Sequence, residues 1–383
     1  MMKCQADLFD LPGDEVYLNG AYMSPQLRSV TQVGAQQLSR KGSPSGISID
    51  DFFQPKKELR TLFNELIHGE DESNVAIIPS VSYAMANVAA NIDFKEGDEI
   101  VLLHEQFPSN YYTWENLVRS KEVKLVIVPD PKIEKGRGER WNQQLLAAIN
   151  ANTKVVAVPQ VHWADGTLFD LAAIRKRADE FGAYLIVDGT QSVGAYPFSV
   201  EEIRPDALIC AGYKWLMGPY SIGLAYFGPR FHQGKPIEDN WMNHQGSEDF
   251  ARLVHYNPEL KKGGVRYDVG ESSNFILVPM LIRALKQLLE WTPEAIQDYT
   301  HRITSDALEA LNQLDVFVEE VSFRSSHLFG IYLPQHMAME TVREQLKIAG
   351  IYVSYRGNAV RVSPGVYNTQ EDLTLLVNCF KNF

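Results

Sequence analysis

Six short apolar runs, each closed by a Gly, a Pro or a polar residue, govern how this chain can fold. Val75-Ala-Ile-Ile78, Ile100-Val-Leu-Leu103, Val123 to Val128, Val155-Val-Ala-Val158, Ala183-Tyr-Leu-Ile-Val187 and Ala207 to Ala211 have the length of buried strands. Helical patterns such as Trp141 to Asn150 and Asp170 to Phe181 fall between them, and that alternation calls for crossover connections and a parallel sheet. Strand ends in such a sheet open on one edge, where ligands bind. Two of those ends carry chemistry. Asp188 closes the fifth run, and Lys214 follows the sixth, 26 residues after Asp188, which is enough for one crossover. A carboxylate and an amine would then face one pocket, although a lysine at a strand end can equally point to solvent.

Size and charge narrow the partners. With 383 residues the chain can build a major domain and a smaller second one. A formal net charge of −12 argues against nucleic acid or an anionic membrane surface, since both reward clustered Lys and Arg. Cys4, Cys210 and Cys379 have no paired spacing and read as reduced thiols, not as a disulfide framework or a metal site. No apolar run is long enough to span a bilayer and no basic, apolar leader opens the sequence, so a cytoplasmic protein is expected. Walker, His-Glu-x-x-His and Rossmann glycine patterns are absent from the sequence.

An acid opposite a lysine suits pyridoxal phosphate, which needs a lysine for its imine and a carboxylate against its pyridine nitrogen. A lysine at its reference pKa is neutral in only about one molecule in 2,500 at pH 7, and condensation with an aldehyde in a dry pocket removes that obstacle. The wording around these residues points the same way. Asp188-Gly-Thr-Gln191 followed by Gly212-Tyr213-Lys214 resembles the signature of the class V aminotransferase superfamily, which includes cysteine desulfurases and kynureninases. Tyr-Lys-Trp-Leu-Met-Gly-Pro is closest to kynureninase, whereas Asp-x-x-Gln is closer to the desulfurases.

This resemblance runs through most of the chain and implies an α/β protein of the fold type I transferases that depend on pyridoxal phosphate. The expected large domain, residues 16–265, has a mostly parallel seven-stranded sheet; residues 266–383 with 1–15 form a smaller α+β domain. A homodimer with the site at the subunit interface is expected as well. By resemblance, Lys214 and Asp188 are catalytic, Phe107 of the Phe-Pro-Ser-Asn motif stacks on the pyridine ring, and Gln191 bonds the cofactor's phenolic oxygen. Tyr213 and the turn holding Val81 and Ser82 take the phosphate, although Ser80 or Ser82 could simply cap the next helix. His162 and its neighbour Trp163 line the ring's surroundings. Trp241, Ser273 and Asn274 reach the neighbouring subunit's cofactor, while Asn19 and Ala21 lie on the substrate side. Arg361, alone among apolar neighbours in Ala359-Val-Arg-Val-Ser-Pro364, takes the substrate carboxylate in its planar fork.

The reaction is left more open. Desulfurases attack sulfur with a cysteine on a loop just ahead of the carboxylate-binding arginine, and Ile351 to Asn358 holds none. What the resemblance implies is an enzyme acting on an α-amino acid through an external aldimine, nominally a transaminase. Kynureninase-like or β-eliminating cleavage and epimerisation share the same residues. A cofactor-binding protein without turnover is the alternative of another class.

Overall fold

The structure, a computed structural model, describes residues 2–381; residue 1 and residues 382–383, the outermost ends of the small-domain range above, lie outside it. After β1 (Val16–Tyr17), the chain forms β2 (Val75–Ile78), β3 (Glu99–Leu103), β4 (Lys124–Val128), β5 (Thr153–Pro159), β6 (Tyr184–Asp188), β7 (Ala207–Ala211) and β8 (Gly223–Phe227). All six apolar runs are strands. From β2 to β8 they make one seven-stranded sheet in the order β2-β8-β7-β6-β5-β3-β4. The pairing is parallel except around β8, which runs against both β7 and β2. Residues of β2, β7 and β8 are buried throughout because both faces of the sheet are covered, which is why these strands are continuous apolar runs and not alternating ones.

Strand order reverses between β3 and β5, and such a switch opens a crevice at the carboxyl ends of the strands. The segments leaving β3, β5, β6 and β7 there carry Phe107, Trp163, Asp188 and Lys214.

The smaller unit holds β9 (Phe329–Tyr332), β10 (Ile351–Tyr352), β11 (Ser354–Arg356) and β12 (Ala359–Val362). Its antiparallel sheet has the order β11-β12-β9, and β1 pairs in parallel with β10. Leu18, Ile303, Leu311, Phe329, Val360, Val362, Leu376 and Phe380 form its core. Two segments thus sit otherwise than in the division made above. Val16–Leu18 joins the small unit, and helix Leu277–Trp291 lays Leu281 and Leu285 into the core that Leu59 and Phe63 share with the large sheet. The helix is amphipathic, but an apolar stripe does not say which of two cores it will meet.

A buried brace joins the units beside the crevice. Asp165 Oδ2 lies 3.0 Å from Arg137 Nη2 and accepts the Tyr332 hydroxyl at 2.8 Å, while its backbone carbonyl accepts from Gly330 at 2.8 Å. Burial alone would push the Asp165 carboxyl up, but His162, Arg137 and Thr167 hold it below the usual carboxylate range. Gly166 turns this loop with φ +78°, and a Cβ there would run into the Leu328 carbonyl. Among the described residues no helix is long and apolar enough to cross a membrane.

Candidate active site

A cavity of about 300 Å³ opens where β5, β6 and β7 end, and Asp188 and Lys214 are both in its wall. Asp188 closes β6, beside Pro159 of β5 and Ile209 of β7. Its Oδ1 accepts from the Thr190 amide at 3.1 Å. Burial raises its pKa; the Thr190 hydrogen bonds and Lys214 pull the other way. Lys214 follows β7 on the turn to β8 and is 5% exposed. Desolvation, then the charge of Arg361, lowers its pKa to about 8, with Asp188 opposing and Arg356 adding to the fall. At such a value roughly one amine in ten is neutral at pH 7.

The two opposite charges share a cavity, yet among the described residues no ion pair within 4.0 Å joins Asp188 to any cation. A buried carboxylate held away from a buried amine leaves room for a body that can satisfy both. Phe107 contributes an aromatic wall, with Lys214 Nζ 5.2 Å from its ring centroid and Trp163 packed edge-on at 5.3 Å. Gln106, also in the wall, has a buried Oε1 with no partner. Opposite, β2 runs through Pro79 and Ser80 into helix Val81–Ala90, so free backbone N–H groups and the positive helix end meet the cavity. These features fit a flat, ring-nitrogen-bearing aldehyde with a phosphate arm.

Other candidates are placed with more variety. Gln191 and Tyr213 are in the wall. The Gln191 amide is largely engaged, donating to Ala21 O at 3.0 Å and accepting from Trp215 Nε1 at 2.9 Å, which fixes its plane. Ala21 is wholly buried and acts through that carbonyl, and Asn19 Oδ1 accepts from Ser354 Oγ at 2.7 Å; neither reaches the cavity wall. Val81 lines it, but Ser82 does not: Ser80, not Ser82, caps the helix, accepting from the Tyr83 amide at 3.2 Å, and the two serine hydroxyls are 3.0 Å apart. His162 turns away as well, its Nδ1 3.4 Å from Asp165 and its ring against Trp141, while Trp163 faces the cavity. Trp241, Ser273 and Asn274 line a separate hollow with Phe52 and Phe275, and none is in the Lys214 cavity of this chain.

Arg361 is 1% exposed on β12. Its Nη1 donates to the Trp163 carbonyl at 2.9 Å, while Nε and Nη2 are buried without a partner. Burial, then the charge of Arg356, lowers its pKa to about 9. Two orphaned donors on one edge of a guanidinium match the two oxygens of a carboxylate. Three contributors are not foreseen from the sequence. Thr190 sits inside Asp-Gly-Thr-Gln, where its spacing from Asp188 is the available signal. Trp215, which stands in the Tyr-Lys-Trp-Leu-Met-Gly-Pro wording without a role being read for it, and His327, whose Nε2 lies 2.8 Å from Gln191 O and whose position carries no local signal, brace Gln191.

A family model for aminotransferase class-V matches residues 17–376. An uncharacterized aminotransferase of Bacillus subtilis (strain 168) is 25% identical over 368 residues, covering 91% of this chain and 93% of the relative. A probable cysteine desulfurase of Pyrococcus abyssi (strain GE5 / Orsay) is 30% identical over 345 residues, with 84% and 81% covered. Among solved structures, the apo cysteine desulfurase from Thermococcus onnurineus NA1 superposes with a TM-score of 0.82 at 20% identity, covering 99% of this chain and 97% of that one.

Proposed function

The chain belongs to the class V aminotransferase family, and from that premise we propose that it transfers the amino group of an α-amino acid. Its cofactor is pyridoxal 5′-phosphate, which supplies an aldehyde that condenses with amines and a ring that draws electrons from the substrate's Cα. The observation that carries the reading is Lys214 and Asp188 buried in one cavity without pairing with each other. Lys214 Nζ would hold the aldehyde carbon until a substrate amine displaces it. Asp188 would face the ring nitrogen and keep it protonated, an opposite charge that also offsets the burial of its own carboxylate. Phe107 would cover one face of the ring, Gln191 its phenolic oxygen, and Ser80, Val81 and Tyr213 the phosphate. Arg361 would grip the substrate carboxylate. Lys214, once free, is the base for the Cα proton, its lowered pKa being suited to work near neutrality. A homodimer in the cytoplasm belongs to this reading.

Cleavage at Cβ, as in a kynureninase-like lyase, is the second reading, favoured by the relative named a probable cysteine desulfurase. A thiolate nucleophile does not serve it here. Cys210 is buried with its thiol pushed up by desolvation, and none of the three cysteines is in the cavity wall. Cys379→Ser is therefore expected to keep kcat/KM within about twofold of the parent; a drop of a hundredfold would restore the thiolate. For the main reading, the purified protein is reduced with borohydride and digested. The cofactor is expected on the peptide containing Lys214, and its appearance elsewhere, or nowhere, rejects the assignment. Keto acid without ammonia then marks transamination, alanine with a fragment released from Cβ marks kynureninase-like cleavage, and keto acid with ammonia marks β-elimination.

A further inference from the structure

A second guanidinium beside the site has no acidic partner among the described residues. β11 and β12 pair with Ser354 opposite Arg361 and Arg356 opposite Ala359. Side chains alternate along a strand, so Arg356 and Arg361 share one face of the hairpin as diagonal neighbours, roughly 7–8 Å apart at their bases. Both sit over one residue of the cavity wall: the guanidinium carbons of Arg356 and Arg361 are 5.4 Å and 6.0 Å from the Trp163 ring centroid. Arg356 Nη1 donates only to the carbonyl of its own neighbour, Tyr355, at 2.7 Å. No carboxylate lies within 4.0 Å of it among the described residues. Glu105 is the acid beside the hairpin tip, 3.2 Å from where a Cβ on Gly357 would stand, and it pairs with neither arginine.

In the cavity wall or over its Trp163, the described residues thus place three cations, Lys214, Arg356 and Arg361. The nearby acids among those residues are Asp188 in the wall and Glu105 at the hairpin tip, neither of them in an ion pair with these cations. A chain of net charge −12 gathers them at one point, and half-buried guanidinium groups without anions are costly unless a ligand supplies the charge. One substrate carboxylate matches Arg361. We infer that Arg356 takes a second negative group, so that the preferred substrates are α-amino acids whose side chain ends in an anion. This rests on the reading of the site given above and names its substrate class. Arg356 would then decide specificity through a contact that a neutral side chain cannot make.

Equilibrium binding tests this without turnover. Succinate and butyrate, which differ in the second carboxylate, are titrated calorimetrically into the cofactor-loaded protein. Succinate is expected to bind about 10- to 100-fold more tightly, the worth of one charged hydrogen-bonded contact. Arg356→Gln should bring that ratio close to one, and Arg356→Lys should retain part of it. A ratio near one in the parent, or one that Arg356→Gln leaves unchanged, overturns the inference. Steady-state kinetics with L-aspartate and L-glutamate against L-asparagine and L-glutamine should show the same loss, in KM more than in kcat. A protein that keeps the succinate preference but shows no borohydride-reducible adduct would remove the cofactor reading alone, and the reverse pattern would remove only this one.

Discussion

Lys214→Ala is expected to lower turnover by about 10⁴-fold or more, because the substitution takes away both the covalent anchor and the base. The variant should also lose the borohydride-reducible adduct while still binding the cofactor weakly through the turn at Ser80 and Val81. A second readout separates chemistry from folding. In the cofactor-free protein the buried amine has its pKa lowered to about 8, against an ordinary value of 10.5. Between those values the unfolded chain binds more protons than the folded one, so stability should rise as pH climbs from about 8 to about 10.5. Below pH 8 the folded state bears the full burden of the charged amine. Lys214→Ala removes the group and should lessen that rise, the remainder coming from Lys56, whose pKa burial also lowers to about 8, with thermal melts at about pH 7.5, 9 and 10.5 as the measurement. Full turnover in the variant, or a parent protein whose stability is indifferent to this window, would falsify the role given to Lys214.

The strand ends are legible in the sequence for a simple reason. Strands covered on both faces must be apolar throughout, so the polar residue that stops each run is the one delivered to the sheet edge. Asp188 follows directly from that rule, and Lys214, on the turn just past its run, lies at the same edge, as does the exit of β5. The rule fails one residue further on. His162 and Trp163 are adjacent, and which of them faces the crevice depends on a turn fixed by Gly166 and by the Asp165 brace to Tyr332, a partner 167 residues away. Gln191 shows the same limit: the motif names it, but its orientation comes from Trp215 and His327. Trp241, Ser273 and Asn274 form a hollow with Phe52 and Phe275 on this chain, and a sequence carries no mark saying whether a second copy completes it. The division between units fails at helix Leu277–Trp291 because its stripe fits either core.

Arg361→Met should separate binding from stability in opposite directions. In the unliganded protein the guanidinium is 1% exposed, with two donors unsatisfied and a pKa lowered to about 9 by burial and by Arg356. Exchanging such a group for an apolar side chain of similar length forfeits one hydrogen bond from a charged donor to the Trp163 carbonyl, worth about 1.5–3 kcal/mol. It also relieves the burial of an uncompensated charge, and replacing buried charges by apolar residues can stabilise by about 1–4 kcal/mol. Because Nε and Nη2 are buried without partners as well, the relief covers two orphaned donors in addition to the charge and is expected to exceed the lost hydrogen bond, so the melting temperature should rise. Affinity for the amino acid should move the other way, since truncating one partner of a buried charge pair costs about 2–5 kcal/mol, or at least roughly a 30-fold increase in KM. Loss of a neighbouring positive charge should also raise the Lys214 pKa, because Arg361 is second only to burial in holding it down. An arginine that merely braces Trp163 predicts the reverse, a lower melting temperature with KM little changed, and the pair of measurements therefore decides what Arg361 is for.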